Sequence, residues 1–262
     1  MINLNNYKAN AYSQYGEDGI IEQLLGRLDE PTGFVIEFGA ADGTFCSNTA
    51  RLWRDVGGYE ALLIESDQTL YDELVEKTSG FDGVECKHGF VTNIDDYTTR
   101  VADVCSIDVD GDDYQIVERM TTNHQIVVVE HNPTVPPHVM MIGYEGAGVG
   151  SSAAVITELM AAKGYTLVAA TKTNVIFLYG DHHEEFETSL EVLFDYSALN
   201  YVVTSYNGVY DMIGEFGYGF DRPGNLQLHG PDNMVHKTVD STTKEYMRQV
   251  LHYADAKGET RS

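Results

Sequence analysis

The sequence predicts an α/β domain built around a mostly parallel sheet, and three observations carry that expectation. Apolar, β-rich runs alternate with segments of helical periodicity along most of the first 180 residues. One run, Ile126 to Val129, sets four β-branched residues in a row, the pattern of a strand buried on both faces in the middle of a parallel sheet. The first strand leads straight into a glycine-bearing turn, Gly39 to Gly43, where a backbone without Cβ atoms can bend sharply and approach a ligand.

The elements follow in order. Ile20, Ile21, Leu24, Leu25 and Leu28 recur at helical spacing and predict a helix from Glu17 to about Leu28, punctuated by Pro31 and Gly33. A strand over Phe34 to Phe38 precedes the glycine turn and a helix from about Asn48 to Val56. A second strand spans Ala61 to Ile64, and Asp67 is placed to cap a helix from Gln68 to Lys77. Strands are expected at Val84–His88, Asp103–Ile107 and Gln125–Val129, with a helix from Tyr114 to Met120 between the last two. From His131 to Gly150 the patterning lapses into prolines and glycines, a loop long enough to suggest function. Ser151 or Ser152 caps a helix to Lys163, stopped by Gly164, and strands Tyr165–Ala170 and Val175–Tyr179 close as a hairpin around the turn TKTN. Beyond, Glu184–Leu199 reads as an amphipathic helix, an aromatic, glycine-rich stretch follows, and Thr242–Ala256 reads as a last helix. The expected division is therefore a catalytic domain over 1–180 and an extension over 181–262 that covers the substrate site or mediates homo-oligomerisation.

Composition narrows the function. Hydrophobic residues make up 43% of the chain, ample for a core. No apolar run approaches the roughly 20 residues that span a bilayer, and MINLNNYKANAYSQYGEDG lacks a signal-peptide pattern, so no membrane association and a cytoplasmic address are expected. Forty-one acidic against 16 basic residues give a net charge of −25, which repels phosphate backbones and argues against nucleic acid as a partner. Solubility accounts for that charge, as does attraction of a cationic ligand or basic partner. Cys46, Cys86 and Cys105 are scattered and odd in number, which suits reduced thiols rather than a disulfide framework or a CxxC metal site.

The segment FVIEFGAADGTFCSNT carries the chemistry. A buried strand delivers Glu37 at its end, and Gly39 and Gly43 follow in the spacing Glu-x-Gly-x-x-x-Gly. A dinucleotide turn needs Gly-x-Gly-x-x-Gly and a bare helix N-terminus aimed at a pyrophosphate. Here Ala41 stands at the second glycine and Asp42 adds negative charge, which argues against an NAD-dependent oxidoreductase, and the absence of Gly-Lys-Ser/Thr argues against ATP. In ALLIESD, Glu65 closes the second strand 22 residues beyond Gly43, the position from which an acid reaches ribose hydroxyls in nucleotide-binding sheets. His88 and Asn93 fall where an adenine pocket would be walled, though either residue is equally an ordinary loop residue. A non-catalytic binding or assembly protein of the same fold is the other alternative; keeping Glu37, Gly39, Gly43 and Glu65 together weighs against it.

The box Ser13, Gln14, Gly16, Glu17, Asp18 and Gly19, followed in order by VIEFGAADGTFCSNT, LLIESD, SIDVDGDDY, VVVEHNP and KGYTLV…TNVIFL, resembles the FkbM-type methyltransferases over residues 12 to 180. The resemblance implies a Rossmann-like methyltransferase fold: a seven-stranded sheet with its last strand antiparallel, binding S-adenosylmethionine at the C-terminal ends of the strands. It implies O-methylation of a sugar or other small-molecule hydroxyl. Glu37, Gly39 and Gly43 would hold the amino-acid end of the cofactor, Glu65 the ribose, and Gln14 would belong to a box folded over it. The box also reads as a plain helix N-terminus, with Glu17 and Asp18 favoured by the helix dipole.

SIDVDGDDY and VVVEHNP end neighbouring strands, bringing Asp108 and Asp110 toward Glu130, His131 and Asn132. Carboxylates so close require a raised pKa, a cation or a substrate amine. The spacing is similar to that of catechol and macrocin-type sugar O-methyltransferases, which implies a Mg2+ ion held by Asp108, Glu130 and Asn132. The lysine base of the catechol enzymes would fall on Gly111, leaving His131, with Asp108, as the catalytic candidates. Alternatively Asp108 only touches the cofactor while Asp112 and Asp113 cap a helix.

Overall fold

A computed structural model describes residues 1–146, 148–199, 201–204 and 210–213. The chain divides into a compact unit from Met1 to Ala198 and a second from Leu199 to Ser262. Among its described residues the second unit has one antiparallel hairpin; the expected helix over Thr242–Ala256 and most of the aromatic stretch lie outside the described residues.

The first unit is a seven-stranded sheet: β1 Phe34–Phe38, β2 Glu60–Glu65, β3 Val84–His88, β4 Val104–Ile107, β5 Ile126–Glu130, β6 Tyr165–Ala170 and β7 Asn174–Tyr179, in the order β3-β2-β1-β4-β5-β7-β6. β1 through β5 pair in parallel, and β7 alone runs against its neighbours β5 and β6. The fold class expected from the sequence is the one observed. Every residue of β1, β4 and β5 is buried, as expected of strands covered on both faces. Helix α1 Glu17–Leu25 precedes the sheet, and α2 Gln68–Thr78, α3 Asp113–Arg119 and α4 Ala153–Ala162 connect strands. Asp67 caps α2 through the amides of Thr69 and Leu70, and Ser152 caps α4 through that of Val155. The second unit's hairpin pairs β8 Tyr201–Thr204 with β9 Tyr210–Ile213.

Two segments differ from expectation for physical reasons. The helix expected from Asn48 is a six-residue π-helix, Arg51–Val56, because the preceding residues are held in a bend by Glu37 and Ser47. The wider turn coincides with burial of Trp53, edge-on to Phe81 at 5.1 Å. The helix expected over Glu184–Leu199 shrinks to α5 Leu190–Leu193. Ile2 takes the carbonyl of Glu185 and gives its own carbonyl to the amide of Glu187, forming a strand-like bridge beside fully buried Phe186. Local amphipathicity loses there to a long-range contact with the N-terminus. Among the described residues no helix is long and apolar enough to cross a membrane.

Candidate functional site

The strand order reverses between β1 and β4: from β1 the chain goes to β2 on one side and returns to β4 on the other. In open α/β sheets the loops leaving the C-terminal ends of strands at such a reversal diverge around a crevice, the place where ligands bind. The turn after β1 and the turn after β4 are its walls. Gly39 (φ 79°) packs so tightly that a Cβ there would sit 1.6 Å from the carbonyl oxygen of Asp108. Gly39 and Ala40 both donate to the carbonyl of Ile64, and Gly43 (φ 84°) fits against Leu74, where a Cβ would come within 2.6 Å of its methyl group. Both glycines are thus required by the backbone path.

Glu65 fastens the turn from the neighbouring strand. Its Oε2 accepts the amide of Ala41 at 2.8 Å, while Oε1 accepts those of Ser66 and Asp67, both at 2.7 Å. Oε1 is filled, but Oε2 keeps a second lone pair for a ligand hydroxyl. Glu37, although buried at the same edge, is turned inward: it accepts Ser47 Oγ (2.6 Å), the Asn48 amide (2.8 Å) and Thr49 Oγ1 (2.7 Å). Burial raises its pKa, and the Ser47, Thr49 and Asn48 hydrogen bonds oppose that rise. The Ser-Asn-Thr run supplied the signal for this role, since those residues are cap formers. Asp42 accepts the amides of Thr44 and Phe45 and pairs with Lys77 at 2.5 Å. Burial pushes its pKa up, yet Lys77 and the two amides outweigh burial and keep the carboxyl well below the usual range.

The N-terminal box is knotted against the same edge. Asp18 Oδ2 accepts the amides of Ala11, Tyr12 and Ser13 and the Ser13 hydroxyl. Glu17, fully buried, accepts the Tyr15 amide, the Thr171 hydroxyl and Asn174 Nδ2, tying the box to the β6–β7 turn. Asn174 in turn lies opposite Glu130 in the β5–β7 register. Gln14 itself is exposed on the tip of this loop. His88 Nε2 reaches the Ser66 carbonyl at 2.9 Å, and Asn93 caps the short turn Ile94–Asp96.

Across the crevice, carboxylate oxygens of Asp108, Asp110 and Glu130 lie within 4.8 Å of one another. Asp110, in the left-handed region at φ 59°, is bent back toward the group. Burial first, then the charges of Asp113 and Asp110, lift the Asp108 pKa above the ordinary carboxylate range, and a hydrogen bond with Glu130 opposes this. The donor set is all-oxygen and anionic, which fits a hard divalent cation. Asn132 is spent elsewhere: its Oδ1 accepts the Thr134 amide and hydroxyl, and its Nδ2 donates to the Val149 carbonyl at 2.7 Å. Asp113 is also structural, accepting the amides of Val109 and Gly111, and Asp112 accepts that of Gly146. His131 is 1% exposed, and its ring lies tilted against that of Phe194, centroids 5.7 Å apart. Burial lowers its pKa to about 4, against an opposing pull from the backbone at Asn132 and Thr171, so the ring is neutral at physiological pH. The three cysteines are free thiols.

No family model and no curated protein matches the chain. Solved structures do. The citrinin polyketide synthase CMeT domain aligns at 14% identity and a TM-score of 0.44 over 63% of this chain, which spans only about half (51%) of that domain. The fibrillarin pre-rRNA processing protein of Methanococcus jannaschii aligns at 13% identity and a TM-score of 0.41, covering 56% of this chain and 67% of that one. A SAM-dependent methyltransferase from Aquifex aeolicus gives 14% identity and a TM-score of 0.37, covering 60% and 87%. At such identities and TM-scores these likenesses assign no role to the chain.

Proposed function

We propose that the chain is an S-adenosylmethionine-dependent methyltransferase, of the FkbM type by its motifs, acting on a small-molecule hydroxyl. The observation that carries this reading is the commitment of the backbone amides beside the crevice. A pyrophosphate needs bare N–H groups at a helix start, whereas here the amide of Asn48 goes to Glu37 and those of Thr49 and Ala50 go to Ser47. Glu65, Asp108, Asp110 and Glu130 gather carboxylates at the ends of β2, β4 and β5. An anionic dinucleotide is repelled there, while a ligand bearing a sulfonium and an ammonium is attracted.

In this reading the Gly39–Gly43 backbone receives the amino-acid end of the cofactor, the second lone pair of Glu65 Oε2 receives a ribose hydroxyl, and Gln14 closes from the box. Glu37 acts one step back, by holding the bend that shapes the turn. Asp108, Glu130 and Asp110 would hold Mg2+, with Asp110 in the place expected of Asn132. When bound, the ion supplies positive charge that orients and acidifies an acceptor hydroxyl. The chain's own contribution is to align that oxygen with the methyl group, to exclude water with the loop after β5, and to take up the released proton. Neutral His131, which follows Glu130 in sequence and is buried against Phe194, is the proposed acceptor of that proton, and Gly111 leaves no lysine for the task.

Mass spectrometry of the purified chain tests the reading, with S-adenosylmethionine or S-adenosylhomocysteine expected as a co-bound mass. Titration with S-adenosylhomocysteine should release heat saturably and titration with NAD should not; the reverse outcome overturns the proposal. The cation is tested separately: Asp108→Ala and Glu130→Ala should each abolish any stimulation of turnover by Mg2+.

A further inference from the structure

We propose that the methyl acceptor is an apolar, ring-bearing alcohol or phenol rather than a polyhydroxylated sugar, held against the loop that follows β5. This rests on the methyltransferase reading and narrows its substrate. Four contacts fix that loop beside the acidic crevice: Gly146 donates to Asp112, Gln115 donates to the Gly143 carbonyl, Asn132 donates to the Val149 carbonyl, and Gly111 approaches Gly148 so closely that a Cβ on Gly111 would lie 2.7 Å from its Cα. A Cβ on Gly148 would in turn lie 3.7 Å from the carbonyl of Asp110. The loop is therefore a rim of the crevice, continuous with Asp110.

Apart from His138 and Glu145, the side chains that the rim exposes are apolar or aromatic. Met140, Ile142 and Val149 are about half exposed, Val139 slightly less, and Tyr144 is 83% exposed. Large hydrophobic side chains left exposed together along one loop are a feature of ligand-binding and partner-binding surfaces. The rim's carboxylate, Glu145, is engaged by Arg119 at 2.9 Å. A sugar needs several aligned donors and acceptors along its edge, and these five side chains supply one hydroxyl between them. An acceptor whose oxygen is anchored at Asp108 and Glu130 must lay the rest of its body on the adjoining surface, and that surface gains most from covering an apolar ring.

The test compares two probes, 2-naphthol and methyl β-glucopyranoside, titrated into the full chain with and without S-adenosylhomocysteine. The test variant is Met140→Ser/Ile142→Ser/Tyr144→Ser, whose sites are exposed, and an unchanged thermal midpoint shows that the fold is kept. Naphthol is expected to bind the native chain, and to bind the triple variant at least tenfold more weakly, while S-adenosylhomocysteine binds both alike. Tighter binding of the glucoside, or equal naphthol affinity in native and variant chains, overturns the inference. So does a native dimer that the triple variant converts to monomer, because the patch is then a contact between copies. If S-adenosylhomocysteine fails to bind at all, the methyltransferase reading falls by itself, and the naphthol comparison still decides whether the rim binds apolar rings.

Discussion

At the scale of single residues the crevice depends on positions with no side chain to spare. Gly39 combines a left-handed backbone with a direct approach to the Asp108 carbonyl, so a methyl group there is strained twice, by its φ of 79° and by overlap. Gly39→Ala is expected to cost more than about 2 kcal/mol in urea denaturation and to abolish S-adenosylhomocysteine binding in whatever fraction folds. His124 gives a pH signature away from the crevice. It is fully buried, its Nδ1 accepts the Ala102 amide at 3.0 Å, and burial lowers its pKa to about 4. The folded ring therefore stays neutral while the unfolded ring takes up a proton below about pH 6.5. The unfolded state binds more protons between those values, so this residue removes stability as pH falls from 6.5 toward 4, at up to about 1.4 kcal/mol per pH unit. Comparing urea midpoints of the native chain and His124→Gln across that range should show a shallower acid slope in the variant. Equal slopes would exclude His124 as the source.

At the scale of elements, the N-terminal box is held less by its helix than by two carboxylates that bind loops. Glu17→Gln keeps the shape but replaces a carboxyl group, both of whose oxygens accept from Tyr15, Thr171 and Asn174, by an amide with one acceptor oxygen. A loss of about 1–3 kcal/mol is expected, together with faster amide exchange in both residues 11–16 and the β6–β7 turn; exchange confined to the box would show that the tie is not mechanical. The same contacts explain what the sequence made legible. Strands β1 to β7 lie within a residue or so of their expected bounds, because β-branched runs ended by glycine or polar residues have one stable place, inside a sheet. The acids at the ends of β2, β4 and β5 were legible too, since strand ends are fixed once strands are. The spacing assigns Glu37 and Asn132 to ligands, whereas in the structure Glu37 accepts from the Ser47–Thr49 bend and Asn132 is engaged by Thr134 and the Val149 carbonyl. Spacing alone does not tell whether a loop will bend its own donors onto an acid; for Glu37 the hint lies in the residue types, the cap-forming Ser47, Asn48 and Thr49. The Glu184–Leu199 helix failed for a similar reason: its competitor, Ile2, lies at the other end of the chain.

At the scale of the whole molecule, charge is the dominant long-range term. One-to-one pairing of 16 basic residues still leaves 25 of the 41 acids without a cation, and the ion pairs of the sheet domain, such as Arg51–Glu22, are largely solvent-exposed and individually weak. The folded chain concentrates that charge more than the unfolded one does, so self-repulsion opposes folding. Raising NaCl from 0.01 to 0.3 M shortens the screening length from about 30 Å to well under 10 Å, and the thermal midpoint is expected to climb by several degrees. NaCl and KCl should act equally, because screening depends on ionic strength and not on ion identity. The acidic cluster separates from this background by its dose. Mg2+ at about 1 mM in 0.15 M NaCl scarcely changes screening, so any further rise must come from a bound ion, through differential affinity for the folded state. That rise should vanish in Asp108→Asn while the NaCl response persists. A Mg2+ effect that survives Asp108→Asn would assign it to the diffuse surface charge, and a midpoint that is flat or falling in NaCl would remove self-repulsion as the chief brake on stability.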